Sequence, residues 1–228
     1  DAIRGGGTIA ADGGRLGDGS YSGGGGGGRI AFDTQQNAFA GTIRAQGQPS
    51  SQFLPGRHGT FNFISDPDRD LVIANDIALP PGANWVFKSL TVTNGAPLEV
   101  QSISGTAEEN YTNEVASLMC ILGDITIAQN SFLSADGLGY LGTKGPGAGN
   151  SSSSTGSGGG GYGGAGGYGR TAGGDVYGSP LSLDRLGSGG GNNSNGGGAL
   201  ILDVRGQVIV RGTISAAGDT LGQRDGGG

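Results

Sequence analysis

Side chains suited to catalysis or to disulfide bonding are scarce in this chain. Its 228 residues include one cysteine, one histidine, one tryptophan and one methionine, and only 14% are charged. The single cysteine, Cys120, can form no internal disulfide bond, and its apolar neighbours favour a buried, unreactive thiol. Because aromatic residues make up only 6%, any core must be thin and built of Ile, Val, Leu and Ala.

A basic surface and a long apolar run are also missing. The chain has 13 basic residues against 19 acidic ones, which argues against a nucleic-acid partner held through its phosphates. The apolar run at residues 118–122 is too short to span a bilayer, and no stretch approaches the ~18 apolar residues required, so no transmembrane segment is expected. Residues 1–4 lack the apolar core of a signal peptide, so we expect a mature or internal sequence.

Glycine, by contrast, is abundant at 54 residues, and a seven-residue phrase recurs. The phrase reads Gly-x-Ile/Leu-x-Ala-x-Gly, with Ser at its head in one copy, and occurs at residues 7–13, 41–47, 131–137 and 212–218. An apolar residue followed two positions later by Ala is typical of a short strand that turns both side chains toward one interior. Repetition of such a unit predicts stacked coils. The side chains expected to share the interior are Ile9, Ile43, Leu133, Ile214, Ala11, Ala45, Ala135 and Ala216.

The phrase belongs to a larger unit that occurs in full twice. At residues 26–47 and 196–218 the chain runs through a glycine tract, a strand that ends in Asp, a turn and then the phrase. A copy without the tract spans residues 123–137. The tract at 226–228 stands where a further strand should follow. We therefore expect the array to continue, in the same polypeptide or through a neighbouring subunit that docks head to tail.

Three regions divide the chain. Residues 1–65 and 123–228 carry glycine-rich coils, whereas residues 66–122 are less repetitive and are expected to form further β coils or a small insertion. In this middle region apolar alternation predicts strands near residues 71–79, 85–93 and 98–103, and residues 107–115 are the only candidate helical turn.

The expected fold class is all-β, a parallel β-solenoid with long glycine-rich loops. The tracts feed directly into strands. Extended threefold glycine segments that exchange backbone hydrogen bonds sideways, as in polyglycine II bundles, fit this arrangement. Flexible loops fit the composition equally well.

Carboxylates cluster at one place, where Asp66, Asp68 and Asp70 lie within five residues. They are candidate Ca²⁺ ligands, or a paired acid and base acting on a sugar. A calcium loop of the EF-hand type beginning at Asp66 would need Gly at position 71 and Glu at position 77, where the chain has Leu71 and Ile77. A solvated turn is therefore favoured, and no other metal ligand or cofactor is expected.

The remaining motifs carry less weight. His58 lies in a Gly-Arg-His-Gly sequence that faintly resembles polygalacturonases, but their paired-aspartate and Arg-x-Lys signatures are absent, so a surface-loop histidine is favoured. Residues 137–142 match a dinucleotide-binding spacing, yet a Pro and a Ser/Gly tract follow where a helix must begin. Candidate N-glycosylation sites, relevant only in a glycosylating secretory pathway, are Asn110, Asn150 and Asn192.

The glycine tracts, short strands and repeated phrase at residues 1–65 and 123–228 resemble glycine-rich repeat proteins of bacterial and other microbial surfaces. This resemblance implies a right-handed parallel β-helix of the pectate-lyase type and an extracellular or cell-surface location, and it implies fold more firmly than activity. We therefore expect a structural, non-enzymatic module that forms a filament, sheath or adhesive appendage by head-to-tail self-association. A surface polysaccharide is a candidate partner.

The alternative is a carbohydrate-binding or polysaccharide-degrading β-helix, a lyase or hydrolase that uses Asp66, Asp68 and Asp70. A catalytic groove should carry aromatic and acidic side chains on successive coils. This chain shows one isolated acidic cluster, which favours the structural interpretation.

Overall fold

A computed structural model of the chain describes residues 2–14, 25–32, 36–39, 42–45, 60–63, 66–74, 76–79, 84–100, 116–153, 156–179, 181, 185–219 and 228. Within these ranges the protein is all-β, with short strands and no helix. The strands are β1 (Ala2–Gly5), β2 (Thr8–Ala10), β3 (Arg29–Phe32), β4 (Gln36–Phe39), β5 (Thr42–Arg44), β6 (Thr60–Phe63), β7 (Asp66–Ile73), β8 (Ile77–Leu79), β9 (Asn84–Val92), β10 (Pro97–Val100), β11 (Ser117–Ile121), β12 (Ile125–Ile127), β13 (Phe132–Ser134), β14 (Leu200–Val204), β15 (Val208–Val210) and β16 (Thr213–Ser215).

All pairings between these strands are parallel, and they form three rows. Row one runs β9, β11, β14; row two runs β7, β9, β12, β15; row three runs β8, β10, β13, β16. The long strand β9 serves two rows, because its first half pairs with β11 and its second half with β12. The strands nearer the start of the chain pair as β1 with β4, β2 with β5 and β3 with β6. The triplets β11–β13 and β14–β16 therefore each add one strand to every row.

Register within the rows places like side chains above one another. In row three, Leu98 faces Ile77 on one side and Leu133 on the other, and Leu133 faces Ile214. In row two, β12 pairs its apolar positions with those of β9 and β15 in the same way. Alternate residues of each strand point inward, so these stacks build a single core, to which Trp85 adds the largest side chain.

The predicted shared interior is confirmed for most of its described members. Ala45, Leu133 and Ala135 are buried, while Ala11 and Ile214 are partly buried and pack against the core. Ile9 pairs with Ile43 in register, although the burial of Ile43 lies outside the described features. Ala216 differs from the prediction, since it is exposed. It follows β16, the outermost described strand of row three, and no described strand covers it.

The strand predicted near residues 85–93 is confirmed as β9, whereas the one predicted near 71–79 is two strands, β7 and β8, and the one predicted near 98–103 is confirmed up to residue 100, where that range of described residues ends. Strands β7 to β11 belong to the same rows as β12 to β16. Residues 101–115, which include the candidate helical turn and Asn110, lie outside the described residues.

Candidate functional site

The described residues between β13 and β14 form a bundle of non-strand segments, here called the glycine bundle. Its described segments are residues 137–150, 156–162, 164–175, 186–191 and 194–198. Backbone hydrogen bonds join them sideways. Representative donor-to-acceptor pairs are Gly139 N to Gly196 O (2.7 Å), Gly161 N to Gly147 O (2.8 Å), Gly159 N to Gly167 O (2.9 Å), Gly191 N to Gly158 O (2.8 Å) and Gly187 N to Gly197 O (2.8 Å). The glycine tract is thus hydrogen-bonded sideways, as the ordered alternative predicts.

The packing of the glycine bundle leaves no space for a side chain at several of its interior glycines. A Cβ atom added to Gly158, Gly174 or Gly196 would come closer than 3.0 Å to the backbone of a neighbouring segment. At the outer positions Gly163 and Gly164, by contrast, a Cβ atom would meet nothing within 4 Å. The interior glycines are therefore required by close approach of backbones.

A few larger side chains anchor the bundle to the strands. Tyr140 and Leu186 are buried with Ala199 in a second, small core, against which Ala116 packs at the start of β11. Ser188 is fully buried, and its Oγ accepts a hydrogen bond from Gly147 N (2.9 Å). These side chains satisfy polar backbone groups and fill the volume that glycine leaves empty.

Two tyrosines close one side of the same region. The ring of Tyr162 meets the ring of Tyr177 edge to face, with centroids 5.2 Å apart. Ser188 Oγ donates to the Tyr177 hydroxyl oxygen (2.9 Å), and the Tyr177 hydroxyl donates to Leu186 O. A hydroxyl network of this kind fixes the position of segment 186–191 in the bundle. Sequence reasoning did not single out Ser188 or Leu186, although each is a non-glycine residue beside a glycine run.

Strands β14, β15 and β16 form the outer edge of the three rows. Val208 and Val210 of β15 are 54% and 47% exposed, whereas Ile125 and Ile127, which they face in register on β12, are 0% exposed. Because Val208 pairs with Ile125 and Val210 with Ile127, the two valines continue the stack of inward-facing side chains. Their exposure shows that no described strand covers the core beyond β15.

One carboxylate of the acidic cluster, that of Asp70, contacts two side chains of the neighbouring strand β9. Asp70 Oδ2 lies 3.2 Å from Lys88 Nζ, and Asp70 Oδ1 accepts a hydrogen bond from Ser89 Oγ (2.6 Å). The Ser89 hydrogen bond, with help from Lys88, holds the pKa of Asp70 below its ordinary value. Register shifts between Asp66 and Asp70, so β7 is irregular at this point.

No metal centre is built by the part of the chain that the structure describes. Within it, no three His, Cys, Asp or Glu side chains are grouped so that they could hold a metal ion. Asp68 is exposed, and the side chain of Asp66 is not among the described features. The Ca²⁺ site proposed for Asp66, Asp68 and Asp70 therefore stays a prediction.

Cys120 is half-buried rather than buried. It occupies an outward position of β11, between the inward residues Met119 and Ile121, and its Sγ lies 3.7 Å from Asp203 Oδ2 on the neighbouring strand. The apolar neighbours in sequence suggested full burial, but alternation along the strand places the thiol on the opposite face.

The other predicted site residues are scattered. His58 and Asn110 lie outside the described residues. Asn150 is exposed, and Asn192 Nδ2 donates to Ser157 Oγ (2.6 Å) inside the glycine bundle.

Comparisons of the chain with protein-family models, with curated proteins and with solved structures gave no match. None of the described residues belongs to a helix with the length and apolar character needed to cross a membrane.

Proposed function

We propose that this chain is a structural module of an extracellular repeat protein, built as a parallel β-solenoid, that assembles into a filament, sheath or adhesive surface appendage. Three parallel rows that each gain one strand per circuit of the chain support this architecture. Backbone ladders along the rows and continuous apolar stacks inside them make such an array stiff along its axis.

The observation that carries the proposal is the uncovered core at the last triplet of strands, β14 to β16. Val208 and Val210 stand where Ile125 and Ile127 stand one circuit earlier, yet they remain exposed. A further parallel strand on β15 would bury them and pair with the edge of β15, which no described strand covers. The strands proposed to cover this edge are those nearest the start of a second copy of the chain, which gives head-to-tail self-association.

The glycine bundle is proposed to have the polyglycine II type of packing. Its segments are hydrogen-bonded sideways, and many of their glycines are too close to neighbouring backbone for a Cβ atom, as that packing requires. It binds to the side of the coils through Tyr140, Leu186 and Ala199. In a surface appendage, a bundle of this kind adds rigid thickness without a large apolar core.

Sedimentation of the purified chain over a range of concentrations, followed by negative-stain electron microscopy, tests this proposal. We expect concentration-dependent particles that elongate in one direction. Val208→Lys should abolish elongation, because a charge would replace an apolar side chain at the proposed junction.

Val72→Lys provides the matched control. Val72 also lies in row two and is 50% exposed, close to the 54% of Val208, but it alternates with the buried Leu71 and Ile73 and therefore points outward. This variant should elongate like the parent protein. A chain that stays monomeric at all concentrations, or elongation that Val72→Lys abolishes as completely as Val208→Lys does, would contradict the proposed junction.

A further inference from the structure

The backbone of Gly228 lies in a slot within the glycine bundle, far along the chain from the segments around it. Gly228 N donates a hydrogen bond to Ser188 O (2.9 Å), and Gly228 O accepts one from Gly197 N (2.8 Å). Residue 228 is thereby paired on both sides, with segments 186–191 and 194–198. The slot receives a chain that has already left the bundle and passed through β14, β15 and β16.

The walls of this slot are bare backbone. A Cβ atom on Gly228 would lie 2.7 Å from Gly161 O and 2.8 Å from Gly160 C, closer than real Cβ atoms come. From the other side, a Cβ atom on Gly187 would come closer than 3.0 Å to Gly228 O. Since the atoms that a Cβ would overlap belong to the backbone, rotation of a flexible side chain cannot remove the overlap.

Slot and occupant thus match in two independent respects. The donor at Gly197 and the acceptor at Ser188 fix where an incoming amide must place its own carbonyl and N–H. The absence of space excludes every residue with a Cβ atom. We infer that this slot is a binding site for an extended oligoglycine strand, that it selects glycine by excluding Cβ atoms, and that Gly228 fills it here.

The bundle also holds the residues that follow β16. Residue 219 is already tied to the bundle, since Asp219 N donates to Asn195 O (2.9 Å) and Asp219 Oδ1 accepts from Asn195 N (2.6 Å). Insertion of Gly228 adds a second tie beyond β16. The site thus acts as a latch, which does not depend on the solenoid array proposed above.

Hydrogen exchange in the full chain labelled with 15N-glycine tests the latch. The readout is the exchange rate of the Gly197 amide, whose acceptor is Gly228 O, and the Gly191 amide, bonded to Gly158 O elsewhere in the bundle, reports that the bundle remains folded. In Gly228→Ala we expect the Gly197 amide to exchange about tenfold faster or more, with Gly191 unchanged. Gly164→Ala, a substitution into open space, should change neither rate.

Added peptides then test selectivity for glycine. N-acetyl-triglycine amide at millimolar concentration should restore protection of Gly197 in the Gly228→Ala protein, and N-acetyl-trialanine amide should not. Where the alanine side chain disturbs the bundle, so that Gly191 also loses protection, deletion of residues 226–228 leaves the slot empty and is used with the same two peptides. The inference is overturned by unchanged protection of Gly197 in Gly228→Ala, by failure of triglycine to restore it, or by equal restoration with trialanine.

Discussion

Asp136 and Ser215, 79 residues apart in sequence, are joined by a hydrogen bond of 2.5 Å from Ser215 Oγ to Asp136 Oδ1. The same carboxylate oxygen accepts a hydrogen bond from Ala217 N (2.6 Å). Asp136 belongs to the third copy of the repeated phrase and Ser215 to the fourth. The third and fourth copies of the phrase therefore stack through polar positions as well as through apolar ones, and this contact holds β16 in register on β13.

Removal of this carboxylate should weaken the attachment of β16 to β13. Asp136→Ala is expected to lower the free energy of unfolding by ~1–3 kcal/mol, since it leaves Ala217 N and Ser215 Oγ without their charged acceptor. Asp136→Asn keeps an acceptor oxygen and should recover about half of the loss. Chemical denaturation of the three proteins measures both values, and an Asn variant as unstable as the Ala variant would contradict the role given to the oxygen.

The direction of side chains in row three can be tested with neighbouring residues of β13. Leu133 is fully buried against Leu98 and Ile214, whereas Phe132 is 44% exposed on the opposite face. Leu133→Ala should lower the free energy of unfolding by ~2–5 kcal/mol, because it removes buried apolar surface and leaves a cavity. Phe132→Ala should lower the free energy of unfolding by less than Leu133→Ala does, although it removes the larger side chain. Thermal unfolding decides, and the reverse order would show that the interior is wrongly assigned.

The repeated phrase predicted the pairing of its own strands well, both in row three and between β2 and β5, because its spacing fixes which side chains share a face. Strands β2, β5, β13 and β16 lie inside the four copies, and the residues at its apolar positions pair with one another. Strands β8 and β10 occupy the same row without the phrase. Their apolar residues two positions apart suffice for pairing in this row. Because the flanking glycines that define the phrase are absent there, the sequence left open whether this region formed β coils or an insertion.

The partners within the glycine bundle were beyond prediction for a physical reason. Glycine has no side chain that could specify which segment pairs with which, so the contact of Gly139 with Gly196 leaves no mark in the sequence. The same holds for the slot of Gly228, where one glycine is distinguished from others only by what surrounds it. The contacts of Asp70 were beyond prediction for another reason, because Lys88 and Ser89, which lie beside it, are 18 and 19 residues away in the sequence.

The carboxylate of Asp70 gives a prediction on pH. Because its folded-state pKa is lowered, first by the Ser89 hydrogen bond and then by Lys88, the associated stabilisation is present above the ordinary aspartate pKa of ~3.9 and is lost as pH falls through the lowered value. The pair is largely exposed, so the effect should stay below ~1 kcal/mol. Ser89→Ala should raise the pKa of Asp70, measured by NMR titration of its carboxyl carbon. An unchanged pKa would show that the hydrogen bond does not form in solution.

Ordered packing of the glycine bundle predicts that alanine will be tolerated at some glycines and rejected at others a few residues away. In Gly158→Ala the new Cβ atom would come closer than 3.0 Å to backbone atoms of Ala172 and Gly173, while in Gly164→Ala it would meet nothing within 4 Å. Neither glycine has a positive φ, so backbone strain does not separate them. We expect Gly158→Ala to destabilise the bundle by ~1–3 kcal/mol or more through overpacking, and Gly164→Ala to change stability by no more than ~0.5 kcal/mol. Hydrogen exchange of the Gly159 and Gly191 amides measures the difference locally. Equal, small effects of both substitutions would mean that the segments do not pack as closely in solution as the hydrogen bonds between them require.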